Sequence, residues 1–116
     1  MATLAKARAA CKALPGATFD IKWGADMCYS VGGKMFAVMG DHSKEGPSIS
    51  FKVDDNRFLE LTDREGFIPA PYMAKHKWVL VKDMKNVSDA ELKALIARSH
   101  ALVAAKLPKK VREALG

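Results

Sequence analysis

Residues 27 to 39 read Met27-Cys28-Tyr29-Ser30-Val31-Gly32-Gly33-Lys34-Met35-Phe36-Ala37-Val38-Met39, two apolar-rich runs hinged on a pair of glycines. Adjacent glycines in a two-residue loop supply the positive φ angles that a tight hairpin needs. Met27 to Val31 and Lys34 to Met39 are therefore expected to pair as antiparallel strands. On the N-terminal side, Phe19, Ile21 and Trp23 alternate with Thr18, Asp20 and Lys22, the period-two pattern of a half-buried strand, and Gly24 to Asp26 supply a turn. On the C-terminal side, the polar stretch Asp41 to Pro47 reads as a loop, and alternation resumes from Ser48 to Val53 through Ile49, Phe51 and Val53. The hairpin thus lies inside a meander of four short strands.

Helical patterns flank the meander. Leu4, Ala7, Cys11 and Leu14 recur on one face of a helix spanning about residues 4 to 14, with Thr3 as its cap and Pro15-Gly16 as its stop. Asp54 and Asp55 read as caps for a short helix that runs to about Arg64 and stops at Gly66. Pro69 and Pro71 are read as forbidding regular structure after it, Tyr72 to His76 can form one helical turn, and Trp78 to Lys82 has strand composition. Ser88 and Glu91 have capping-box spacing and open a long helix whose buried stripe is read as Leu92, Leu95, Ile96, Ser99, Leu102 and Val103. Pro108 can open a last short helix. Hairpin-linked strands pair with their neighbours, and terminal helices must bury their stripes. The expectation is one α+β domain over residues 1 to 116: an antiparallel sheet of about five strands with the N- and C-terminal helices packed on one face.

The chain has 116 residues and a formal net charge of +6, distributed unevenly. Residues 1 to 14 carry a net +3, residues 15 to 66 a net −3 and residues 67 to 116 a net +6. If the two ends of the chain meet on one face, that face attracts polyanions. The alternative is that these lysines only solvate amphipathic helices. Charges recur too often for the roughly 20 apolar residues of a membrane helix, and Lys6, Arg8 and Lys12 break the first residues as no secretion signal would. Cys11 and Cys28 stand apart among apolar neighbours, with no metal-ligand spacing, and read as reduced core thiols in a cytoplasmic protein; a Cys11–Cys28 disulfide is the rival.

Several chemistries lack their residues. No Gly-x-Ser-x-Gly turn displays a nucleophile, and His42, His76 and His100 fall in a loop, beside a strand and on the long helix. Gly32-Gly33 leads into a strand, so no helix N-terminus is offered to a phosphate. Asp41, His42 and Glu45 make no recognised metal pattern. What remains are cations interleaved with aromatics: Tyr72, Lys75, His76, Lys77 and Trp78, then Lys106, Lys109, Lys110 and Arg112. Cations meet phosphates and exposed aromatics can stack on bases, although Trp78 equally suits a core position.

Leu14-Pro15-Gly16, Val31-Gly32-Gly33-Lys34-Met35-Phe36-Ala37, the segment Pro71 to Val79, and Ser99 with Leu107 to Arg112 together resemble the MmcQ/YjbR family, in order and over nearly the whole chain. The resemblance implies a frataxin-like (CyaY/YjbR) fold described as a double wing, and a DNA-binding role in bacterial cytoplasmic proteins. It supplies no catalytic residues. His100 departs from the family, where an aromatic tyrosine often follows the serine. In the double-wing reading the Gly32-Gly33 hairpin is one wing and the Asp41 to Pro47 loop is the tip of the other. Lys34, Lys44, Lys52, Lys75 and Lys77 then become phosphate contacts, with Lys109, Lys110 and Arg112 near the end of the chain joining them.

The sequence is therefore read as a monomeric, non-catalytic binding protein that needs no cofactor or metal and takes DNA as its partner. A second reading is a protein-interaction adaptor, with the basic face docking an acidic partner and Phe67-Ile68-Pro69 as apolar anchor. A third is a small-ligand or metal site between the sheet and the Pro69 to Lys77 segment. Frataxin-type iron binding relies on an acidic ridge, and the first helix here has no acids.

Overall fold

A computed structural model describes residues 2–22, 26–40, 46–71 and 73–115. The elements are α1 (Leu4–Lys12), β1 (Ala17–Lys22), β2 (Asp26–Val31), β3 (Lys34–Gly40), β4 (Ser48–Lys52), α2 (Asp55–Thr62), β5 (Phe67–Pro69), β6 (Trp78–Val81), α3 (Asp89–Ala104) and α4 (Lys109–Ala114), with 3₁₀ turns at Ala74–His76 and Met84–Asn86. One antiparallel sheet runs in the order β1-β2-β3-β4-β6-β5. Gly32 and Gly33 take φ values of 57° and 80°, which is how the central hairpin turns in two residues.

The sheet has six strands where sequence patterning gives about five. The additional one is β5, which pairs with β6 through Phe67↔Val81, Ile68↔Leu80 and Pro69↔Val79. Pro69 lacks an N–H, but β5 is the outer strand, where one missing donor breaks no ladder. Trp23, the Gly24 to Asp26 turn apart from Asp26, residues 41 to 45 of the expected wing loop, and Tyr72 lie outside the described residues.

Strand alternation gives the sheet two distinct faces. Tyr29, Ala37, Met39, Ile49, Phe51, Val79 and Val81 point to one side and join the buried cluster with Ala7, Cys11, Leu92, Leu95, Ile96 and Val103 of α1 and α3. Cys28, Val38, Ser50, Lys52, Trp78 and Leu80, one residue out of phase, point to the other side. Cys11 and Cys28 thus belong to opposite faces, and both are free thiols. On α3 the buried stripe is Leu92, Leu95, Ile96, Ser99, His100 and Val103. His100 replaces the expected Leu102: its Nε2 lies 2.7 Å from the Pro15 carbonyl oxygen and its ring meets Phe36 edge-on at 5.1 Å.

The caps depart from expectation in detail. Ser88 Oγ accepts from Glu91 N–H at 3.1 Å, yet the Glu91 carboxylate turns away to a bidentate pair with Arg64 at 2.7 and 3.0 Å. Asp54 stands at the N-cap of α2 without a side-chain cap bond, because its carboxylate accepts from Arg98 Nε and Nη2 at 2.9 and 2.7 Å. Both carboxylates are held below the usual range by these guanidinium hydrogen bonds. No helix among the described residues is long and apolar enough to cross a membrane.

Candidate nucleic-acid interface

Four elements bring cations to one end of the sheet. Lys34 opens β3 directly after the hairpin turn, Lys52 closes the antiparallel neighbour β4, Lys77 precedes β6, and Lys106 follows α3. The register Lys52↔Trp78 fixes Lys52 on the face that carries no helix. Lys34, Lys52, His76 and Lys106 line a groove of about 410 Å³ whose apolar floor includes Met35 and Trp78, and no carboxylate is among its lining residues.

Ser99 locks the site in place. Its hydroxyl, wholly buried on α3, donates to the Phe36 carbonyl at 2.7 Å and accepts from the Lys52 N–H at 3.0 Å. The register of β2 and β3 shifts at Tyr29/Ser30, and Phe36 lies in the span the shift skips, so a carbonyl outside the regular ladder finds its partner on a helix. Val53 N–H donates to the Lys77 carbonyl at 2.9 Å, and Lys52 Nζ donates to the His76 carbonyl at 2.6 Å. The Lys52 ammonium is pushed below its ordinary range, first by burial and then by repulsion from Lys106 and Lys77, with Asp55 opposing. A cation held under these conditions gains when an anion arrives.

Lys77 adopts the left-handed conformation, with φ 62°, as the cap of the 3₁₀ turn, and its Nζ lies 5.2 Å from the Phe58 ring centroid. Lys75 is exposed on that turn. Lys109, Lys110 and Arg112 are exposed on α4, where Lys109 makes a loose i,i+4 pair with Glu113 at 3.9 Å. None of the three lines the groove, although α4 is seated next to it: a Cβ on Gly32 would lie 2.6 Å from Leu107 Cδ1 and 3.2 Å from Val111 Cγ1. Lys44 lies outside the described residues. Lys34, Lys75, Lys106, Lys110 and Arg112 form no ion pair among the described residues.

The two basic ends of the chain do not merge in the groove as the charge distribution suggests. Lys6 is paired with Asp89 at 2.7 Å, and Arg8 lies over the Phe19 ring at 5.1 Å while its Nε donates to Tyr29 Oη at 3.1 Å. No α1 residue lines the groove. Phe67, expected as an exposed anchor, is buried in β5 beneath the Arg64 guanidinium at 4.5 Å. Trp78 is only 4% exposed, a core side chain whose rim forms the groove floor. Lys106 and His76 are the groove residues that the selection of phosphate contacts leaves out. The available signal for Lys106 is Leu107-Pro108, an apolar residue fixed against the hairpin at the end of a helix. Among the described residues, no three His, Cys, Asp or Glu side chains gather as metal ligands would.

Comparison with known proteins agrees with this architecture. The family model described as YjbR matches residues 12–102. The crystal structure of Deinococcus radiodurans protein DR2400, with domain DUF419, superposes at a TM-score of 0.87 with 27% identity, covering 100% of this chain and 89% of that one. A Pseudomonas syringae structural-genomics protein superposes at 0.62 with 20% identity over 75% of this chain and 86% of its own, which speaks to fold alone. The curated proteins contain no match.

Proposed function

The chain belongs to the YjbR family, and we propose that it is a non-catalytic binding module for duplex DNA, held by phosphate contacts at the groove of Lys34, Lys52 and Lys106 and at Lys77 beside it. The observation that carries this reading is the convergence of Lys34, Lys52 and Lys106 from three elements on a groove lined by no carboxylate, while Asp54, Asp89 and Glu91 are tied up by arginine or lysine. Such contacts position a protein along a backbone and read no sequence. The same reading puts the protein in the cytoplasm as a monomer, where its two unpaired thiols stay reduced. An adaptor for an acidic protein is less favoured, because its apolar anchor, Phe67, is interior.

Four neutralised phosphates give a log–log salt slope of about −3.6, so affinity for a fluorescent duplex should fall roughly 150-fold between 50 and 200 mM salt. Lys106→Gln should remove one contact, lowering the slope by about 0.9 and the fall to roughly 40-fold. Anisotropy titration reads both quantities. Absence of binding at the lower salt, or a slope that Lys106→Gln leaves unchanged, overturns the reading.

A further inference from the structure

The face of the sheet without helices carries a second depression, continuous with the cationic groove. It is a trough of about 480 Å³ lined chiefly by Met35, Val38, Ala70, Met73 and Trp78, with Ser50 and Asp26 as its polar residues. Met35, Met73 and Trp78 belong to both linings, so the apolar trough opens directly onto Lys34, Lys52 and Lys106. Ala70, Pro71 and Met73 form its lip, fixed by Ala70 N–H to the Trp78 carbonyl at 3.0 Å and by Trp78 N–H to the Met73 carbonyl at 3.3 Å. This volume is within the range of small-molecule sites, and two flexible thioethers in its wall allow it to fit differing shapes.

We infer that the trough and groove together form a binding site for a small amphipathic anion: an apolar body the size of a medium-chain acyl or bicyclic aromatic group, bearing one carboxylate, sulfonate or phosphate. The body lies along Val38, Ala70 and Met73, and the head meets Lys52 and Lys106. Charge sets the direction. Lys34, Lys52 and Lys106 stand where the groove meets the trough and attract the head to that end. The two parts explain one another. Cations alone would hold any small anion weakly in water, and a trough alone would not distinguish head groups. The inference goes beyond duplex binding and does not depend on it.

Calorimetric titration with decanoate, octanoate and decyltrimethylammonium, each below its micellar concentration, tests the assignment. Decanoate should saturate at one per chain, each methylene removed should weaken binding roughly fourfold, and the cationic head on the same tail should bind at least about tenfold more weakly. Lys106→Gln should cost decanoate roughly tenfold. Val38→Trp, which fills the trough, should abolish decanoate binding and leave duplex affinity unchanged. Equal affinity for the two head groups, affinity indifferent to tail length, or unsaturable heat overturns the inference using the unmodified protein. Decanoate binding that survives Val38→Trp in a folded variant overturns it as well. Loss of duplex binding alone, with the tail and head effects intact, refutes the DNA reading and leaves this one standing.

Discussion

Ser99→Ala is the substitution that most directly tests how the site is assembled. The serine hydroxyl serves two backbone groups from different strands, accepting from Lys52 N–H and donating to the Phe36 carbonyl. Removing it leaves the Phe36 carbonyl without a partner in the interior, which costs about 2 kcal/mol. Lys52 N–H is only partly buried, so water offsets much of its loss and about 0.5–1 kcal/mol remains. The sum is roughly 2.5–3 kcal/mol, a fall of about 10 °C in Tm for a domain of this size. Urea denaturation followed by circular dichroism should show a lower midpoint at unchanged m-value. Because Lys52 loses its anchor to α3, anion affinity should weaken in the same variant at temperatures where it is folded. A loss below about 1 kcal/mol, or one no greater than that of Ser30→Ala on the face without helices, would refute the claim that this hydroxyl ties β3, β4 and α3 together.

Gly32→Ala and Gly33→Ala separate two effects: both glycines have positive φ, but a Cβ on Gly32 meets Leu107 and Val111 whereas one on Gly33 meets nothing within 4 Å. Denaturation should show Gly33→Ala costing about 1–2 kcal/mol from backbone strain and Gly32→Ala about 1 kcal/mol more from displacing α4. Lys77→Gly should stabilise the fold by about 0.5–1 kcal/mol, since relief of the left-handed backbone outweighs the added glycine entropy, while anion affinity drops; destabilisation would contradict the role of that residue as a turn cap. Burial pushes the Cys11 thiol from 9.0 up to about 12. Above pH 9 the unfolded chain therefore sheds a proton that the native state keeps, and stability should decline between pH 9 and about 12. Urea midpoints at pH 8 and 10.5 should differ more for the parent protein than for Cys11→Ala, and equal differences would contradict the burial argument.

Much of the fold follows from local patterns whose physics is short-range. Gly32-Gly33 dictated its hairpin because few residues tolerate two positive φ values in succession, and Thr3 and Ser88 capped their helices as read. β5 escaped detection because three residues ending in proline carry no periodicity, and their strand character comes from β6 lying alongside. Asp54 and Glu91 were recognisable as terminal residues of helices, but their arginine partners lie 44 and 27 positions away and leave no mark on sequence spacing. The site divides the same way. Alternation within Ser48 to Lys52 is enough to set Lys52 opposite Ile49 and Phe51, whereas the meeting of Lys34, Lys52 and Lys106 depends on where α3 ends against the hairpin.

The sheet order also bears on how the protein is made. β6 pairs with β4 on one side and β5 on the other, although α2 and β5 leave the ribosome first. A nascent chain that has reached Gly66 therefore displays a bare β4 margin, with the hydrogen-bonding groups of Ile49 and Phe51 awaiting Val81 and Val79. During that interval the polypeptide is open to recruitment by another copy of itself, and a product truncated before β6 should accumulate as aggregate.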